Sequence, residues 1–151
     1  MLLQRLALFD ALTGLPNRVL LARKLQECMD LARTKNTLLG VAYLDLDGFK
    51  PVNDRLGHGA GDRLLVVVAG RLTRALRPLD TVARLGGDEF VILMPELESI
   101  DDCERMLHRV MESISSPYTL DTERVVVTAS IGYTVFPLDD DDADTLLRHA
   151  D

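Results

Sequence analysis

Tryptophan is absent from the 151 residues, and aromatic residues make up only 5% of them. Platforms for stacking nucleic-acid bases are therefore scarce. Cysteine occurs twice, at Cys28 and Cys103, far apart and without metal-type spacing. That argues against a disulfide framework and a zinc knuckle, and it fits a reducing, cytoplasmic compartment. Positive charge is in deficit: 17 Lys and Arg stand against 24 Asp and Glu, a formal net charge of −7. A basic face for nucleic-acid phosphates is not expected, nor is a polybasic membrane anchor. Apolar runs such as Leu64 to Ala69 are far too short to cross a bilayer. Met1 to Phe9 has Gln4 and Arg5 inside its apolar stretch and no small-residue cleavage site, so no secretory signal is expected. Internal repeats and linkers are missing too, and the one biased block is the acidic run Asp139 to Asp142 with Asp144.

What remains is 47% hydrophobic and 27% charged, the balance of a single compact domain. Apolar residues at Leu21, Leu25, Cys28, Met29 and Ala32 give helical spacing to Asn17 to Lys35, with Asn17 as cap. Thr37 to Leu46 reads as a buried strand. A short helix is expected around Pro51 to Leu56, then a glycine-rich break at Gly57 to Gly61. Asp62 to Leu76 predicts a helix stopped by Pro78. Thr81 to Leu85 and Phe90 to Met94 form a hairpin pattern around Gly86 to Glu89. Ser99 to Ile114 predicts a helix capped by Ser99. Arg124 to Phe136 reads as one long strand bent at Gly132, and Thr145 to His149 begins a last helix. This order suggests an α/β (α+β) fold with a mixed central sheet flanked by helices.

Four constellations could carry chemistry. Asp45-Leu46-Asp47-Gly48-Phe49-Lys50 places two carboxylates at the end of an apolar strand, where a hard cation could hold them. Lys50 could then face a phosphate. Equally, the aspartates could cap the next helix. Gly86-Gly87-Asp88-Glu89 puts two acids on a hairpin tip, which alone is an ordinary polar turn. If that hairpin neighbours the Thr37 to Leu46 strand, Asp45 and Asp88 meet at one sheet end, and the carboxylates gathered there need a metal. Asn53 and Asp62, with His58 between them, offer donors and acceptors suited to the edge of guanine, or else cap helices. Arg77-Pro78-Leu79-Asp80 fits a helix C-terminus followed by a proline stop. Several other patterns fail. The run Gly57 to Gly61 is no dinucleotide fingerprint, no Walker loop exists, and an EF-hand from Asp45 breaks at Phe49, Lys50 and Leu56. A phosphatase using Asp45 as nucleophile lacks a matching downstream aspartate pair.

Together these pieces resemble a GGDEF domain, the diguanylate cyclase family. The matching runs are Asp10 to Arg18 (DALTGLPNR), Leu44 to Asp54 (LDLDGFKPVND), Leu56 to Asp62 (LGHGAGD), Arg84 to Phe90 (RLGGDEF) and Ser130 to Tyr133 (SIGY). Five motifs in the right order are specific where each alone is weak. The resemblance implies a sheet similar to nucleotidyl cyclase and polymerase palm domains. It implies condensation of two GTP molecules into cyclic di-GMP with release of pyrophosphate. Magnesium (or manganese) is then expected on Asp45, the Leu46 carbonyl and Asp88, with Asp88 aiding deprotonation of the 3′-hydroxyl and Glu89 supporting the geometry. Asn53 and Asp62 match guanine-reading positions, with His58 nearby. Phe49 and Lys50 match positions that engage the phosphates. Arg77 and Asp80 match an inhibitory site for the product. A homodimer of half-sites is implied, as is a sensor or EAL domain in the parent chain, which could be membrane-tethered. The family also continues past Asp151 into a helix bearing a lysine and an arginine, then a strand, so residues 1–151 read as one domain cut from a longer chain.

Overall fold

The computed structural model describes residues 7–138. Its elements in chain order are α1 (Arg18–Lys35), β1 (Leu38–Asp47), α2 (Phe49–Leu56), α3 (His58–Ala75), β2 (Thr81–Gly86), β3 (Glu89–Leu97), α4 (Ile100–Ser115), β4 (Tyr118–Leu120), β5 (Glu123–Val125) and β6 (Thr128–Phe136). The expected final helix at Thr145 to His149 lies outside the described residues. Among the described residues, no helix is long and apolar enough to cross a membrane.

Among the described residues, four strands form the central sheet in the order β2-β3-β1-β6. The α+β class stands, and the pairing is more uniform than a mixed sheet: β2·β3, β3·β1 and β1·β6 are all antiparallel. The reason is connectivity. β1 and β2 run the same way but β3 lies between them, and β3 and β6 run the same way with β1 between them. Each helical crossover skips one position, so no parallel neighbours arise among the described strands.

Alternation along β1 splits the core into two layers. Leu39 and Val41 join Val91, Leu93 and Phe136 beneath the α1 residues Leu21, Leu25 and Met29. Ala42, Leu44 and Leu46 join Phe90 and Ile92 beneath α3 and α4, meeting Leu64, Val68 and Val110. By the same parity Asp45 belongs to the α1 side. α1 starts where Asn17 accepts hydrogen bonds from the Val19 and Leu20 amides, and it ends at Asn36 in the left-handed region. α4 starts at Ser99, whose hydroxyl accepts from the Asp102 amide. Its last carbonyls are satisfied by Arg71 of α3, which donates to Ser113 O and Ser116 O.

Three sequence expectations need correcting. The glycine-rich segment is not a break: α3 begins at His58, so Gly59 and Gly61 are helical. Only Gly57, at φ +94°, stands between the helices, ending α2 and starting α3. The long strand from Arg124 is also divided. β5 turns back on β4 through Asp121 and Thr122, and β6 starts only at Thr128. Asp121 supplies the left-handed residue of that turn at φ +56°, a conformation Asp tolerates better than most residues, so no glycine marks it. The expected bend at Gly132 is missing, since β6 pairs with β1 from Thr128 to Phe136 without a shift in register.

Candidate active site

The central strand ends in a cluster of acids. Asp45 lies directly opposite Glu89 on β3 and Ser130 on β6. The Leu46 amide donates to the Asp88 carbonyl at 3.2 Å, which fixes the hairpin tip against the end of β1. Asp45, Leu46, Asp88 and Glu89 therefore share one sheet end, although they come from segments more than 40 residues apart. Like charges directly opposite on a sheet repel, so the Asp45–Glu89 placement favours a cation there. The donors available are carboxylates and a main-chain carbonyl, the oxygen set a hard divalent ion takes. The side chains do not stand preassembled around a point: among the described residues, no three His, Cys, Asp or Glu are grouped to hold a metal. Asp47 has a different task. Its carboxylate accepts hydrogen bonds from Ser130 at 3.0 Å and Thr128 at 3.2 Å, which ties β1 to β6.

α2 follows immediately from this acidic end. Gly48, at φ +88°, makes the turn that β1 needs to enter a helix. The Val52 amide is the first to donate back, to Gly48 O at 3.3 Å. The amides of Phe49 and Lys50 precede it and have no intrahelical acceptor by position, while Pro51 has no N–H at all. The Lys50 side chain is exposed and makes no ion pair among the described residues. An anion arriving at the sheet end meets two amide donors and an ammonium.

Asn53 sits one turn further along α2, and Asp62 in the second turn of α3. The capping alternative for both fails. The N-cap of α3 is Gly57, with no side-chain cap bond, and its first turn contains no acid. Asn53 Oδ1 is buried with no hydrogen-bond partner among the described residues. An unpartnered buried amide oxygen is costly in a finished fold, and here it lies against Gly61 of α3. Asp62 is exposed and borders an apolar cleft of about 350 Å³ between α3 and the β4–β5 hairpin, lined by Leu12, Val66, Val67 and Leu120. The Arg63–Asp121 ion pair, at 2.6 Å, borders the same cleft. His58 is exposed at the first position of α3.

Arg77 and Asp80 are not part of this site. Arg77 reaches the carbonyl of Pro95, near the far end of β3 from Glu89. Six residues of strand put the two ends about 20 Å apart. The Asp80 side chain is fully buried and receives the Arg77 amide at 2.7 Å and its guanidinium at 2.7 Å. Beside them lies a cleft of about 300 Å³ bordered by Arg77, Arg105, Met106 and Arg109. Arg105 and Arg109, four apart on α4, are two cations the sequence reading did not single out.

A second omission lies at the N-terminal end. Residues 8–17 form a tight loop closed by Asp10 N to Leu15 O and Asn17 N to Leu8 O. Asp10 accepts from the Thr13 hydroxyl and amide and from Arg84, which precedes the hairpin tip. Burial alone would raise the Asp10 pKa, but these donors outweigh it and hold the carboxyl below its ordinary value.

The antiparallel strand order, with acids from β1 and the β2–β3 hairpin gathered at one sheet end, defines an α+β domain with a candidate site at that end. Comparison with known proteins narrows that class. The model of the family "Diguanylate cyclase, GGDEF domain" matches residues 7–151, and the chain belongs to that family. It is 42% identical over 147 residues to the bifunctional diguanylate cyclase/cyclic di-GMP phosphodiesterase MucR of Pseudomonas aeruginosa, covering 97% of this chain and 21% of MucR. The chain thus spans about a fifth of that relative's length. Among solved structures, the GGDEF domain of TpbB (YfiN) from Pseudomonas aeruginosa superposes with a TM-score of 0.91 at 40% identity, covering 94% of this chain and 83% of that one. The coiled coil and GGDEF domain of DgcB from Caulobacter crescentus, in complex with c-di-GMP, gives a TM-score of 0.85 at 27% identity, covering 99% and 79%.

Proposed function

We propose that this domain is the catalytic unit of a diguanylate cyclase, and that two copies facing each other join two GTP molecules into cyclic di-GMP. The observation that carries this reading is the placing of Asp45 opposite Glu89 with Asp88 hydrogen-bonded to the neighbouring Leu46. Asp45, the Leu46 carbonyl and Asp88 are the groups that would hold magnesium (or manganese). When bound, the ion supplies charge neutralisation on the triphosphate and a lower pKa for the attacking 3′-hydroxyl.

The protein's own residues do the rest. The amides of Phe49 and Lys50 and the Lys50 ammonium receive phosphate oxygens and offset the charge that grows on the leaving pyrophosphate. Asn53 and Asp62 orient the guanine, and through it the α-phosphate. Asp88 accepts the 3′-hydroxyl proton, and Glu89 keeps Asp88 and the cation in register. The 3′-oxygen of one GTP then bonds to the α-phosphorus of the other, and the bond to pyrophosphate breaks. Each domain carries one substrate, so rate depends on the proximity of two half-sites. A monomer binds GTP but turns over almost none. The Arg77–Asp80 loop, with Arg105 and Arg109 nearby, is the proposed inhibitory site for the product.

The test is incubation of the dimerised full-length protein with GTP and magnesium. Cyclic di-GMP and pyrophosphate are expected, and their absence from a dimer that binds GTP overturns the catalytic reading. A second reading is supported by the relative NbdA of Pseudomonas aeruginosa, 38% identical over 148 residues and named a cyclic di-GMP phosphodiesterase. In it, the domain binds GTP or cyclic di-GMP without turnover and regulates an attached domain such as EAL. Calorimetric GTP binding with no product would select it.

A further inference from the structure

Gly61 occupies a costly place for a glycine. It is buried, and it lies within helix α3, where glycine is disfavoured relative to alanine. Its backbone does not require glycine, because its φ is not positive; the demand is one of space. A Cβ at Gly61 would fall 1.8 Å from Asn53 Oδ1, 2.7 Å from Asn53 Cγ and 3.3 Å from Phe49 Cε2. The first two are distances that real Cβ atoms do not show. By contrast, a Cβ at Gly59 meets only the flexible end of Arg63 at 3.4 Å, and one at Gly57 meets nothing within 4 Å.

The bare α-carbon of Gly61 is therefore the seat of the Asn53 amide. Turning that amide by 180° exchanges its oxygen for its nitrogen in the same place, so the contact holds for either assignment. Asp62 is the next residue along the same helix. The spacing between the Asn53 amide and the Asp62 backbone is thus set at a contact with no room for a methyl group.

We propose that Gly61 is a positioning residue for guanine recognition: it seats Asn53 against α3 at the distance from Asp62 that lets the pair read one base together. This rests on the reading of Asn53 and Asp62 as the guanine-binding pair. A side chain at position 61 drives Asn53, and with it Phe49, away from α3. The consequence is loss of base selection, distinct from loss of the metal end of the site.

The experiment is a double-mutant cycle on the full-length protein: wild type, Gly61→Ala, Asn53→Ala and the double variant. Titration calorimetry with GTP and with ATP in magnesium buffer is paired with thermal unfolding of each variant. The expected result is that Gly61→Ala weakens GTP at least tenfold and shrinks the GTP-over-ATP preference as Asn53→Ala does. On the Asn53→Ala background, Gly61→Ala should change GTP affinity less than twofold and should not lower the melting temperature, because truncating the side chain at position 53 removes both contacts under 3.0 Å and leaves only Phe49 Cε2 at 3.3 Å, which a shift of a few tenths of an ångström relieves. A folded Gly61→Ala variant with wild-type preference overturns the proposal, as does the same fold-loss on both backgrounds. If the single variant fails to fold, refolding of the double variant supports the proposal and its failure overturns it. A wild type that binds GTP no better than ATP instead defeats the guanine reading, and this inference with it, before any substitution is made.

Discussion

Arg84 holds Asp10 across 74 residues of sequence, its Nη1 2.9 Å from the carboxylate, while its Nε donates to the Gly87 carbonyl at 3.0 Å. One guanidinium therefore ties the entering loop to the hairpin that carries Asp88 and Glu89. Both side chains of the ion pair are mostly buried, at 13% and 17% exposure, so the pair is shielded more than a surface bridge. Arg84→Ala is expected to lower stability by about 1–3 kcal/mol and to loosen the hairpin tip. Chemical denaturation and hydrogen exchange at residues 86–89 check both effects.

The Asp10 contribution has a defined pH range. Its folded pKa is depressed, so the stabilisation is present above the unfolded value, about 3.9, and is lost as pH falls through the folded one. Wild type should exceed Asp10→Asn in urea midpoint at pH 6, and the gap should close below pH 4. A gap that is independent of pH refutes this.

Asp88→Ala separates chemistry from folding. The residue sits at a hairpin tip and makes its fold contact through its main-chain carbonyl, which the substitution keeps. Its melting temperature should stay within about 2 °C of wild type, while cyclic di-GMP synthesis falls about a hundredfold or more. Product chromatography alongside calorimetry reads both.

Arg77→Ala should behave differently. It strips the guanidinium from the fully buried Asp80 side chain and frees the Pro95 carbonyl. A loss of roughly 2–4 kcal/mol is expected. Any loss of product inhibition in this variant must therefore be read against its unfolding curve.

Cys103 gives an alkaline counterpart to Asp10. Burial pushes its thiol up to about 11. The group stays neutral in the fold where the unfolded chain would ionise, so its contribution is intact below about 8.5 and is lost as pH rises through 11. The stability difference between wild type and Cys103→Ala should shrink over that range.

Where local pattern decides structure, the sequence is a sufficient guide. The i, i+4 apolar positions of α1, the Asn17 and Ser99 caps and the Gly86-Gly87 turn all signal elements that the structure contains. Where a short element depends on tertiary support, pattern is silent. β4 and β5 are three residues each, and their turn uses Asp121 where a glycine would have been the usual marker. The helical state of Gly59 and Gly61 was hidden for a related reason: their composition favours a loop, and only at Gly61 does a close contact with α2 show why glycine stands inside the helix. Motif order was enough to bring Asp45, Asp88 and Glu89 to one sheet end. The Asp10–Arg84 tie and the Asn53–Gly61 contact depend on how distant or adjoining segments fold against each other, which spacing alone does not encode.

Gly57 is at once the last cap of α2 and the first of α3, with no loop residue on either side. The joint has no slack. An inserted residue would turn α3 by about 100° around its axis unless it bulged out, swinging Asp62 away from its neighbour on the other helix. Length variation in relatives of this chain should therefore accumulate in the β4–β5 turn and at the chain ends, while the hinge between these two helices keeps a fixed count.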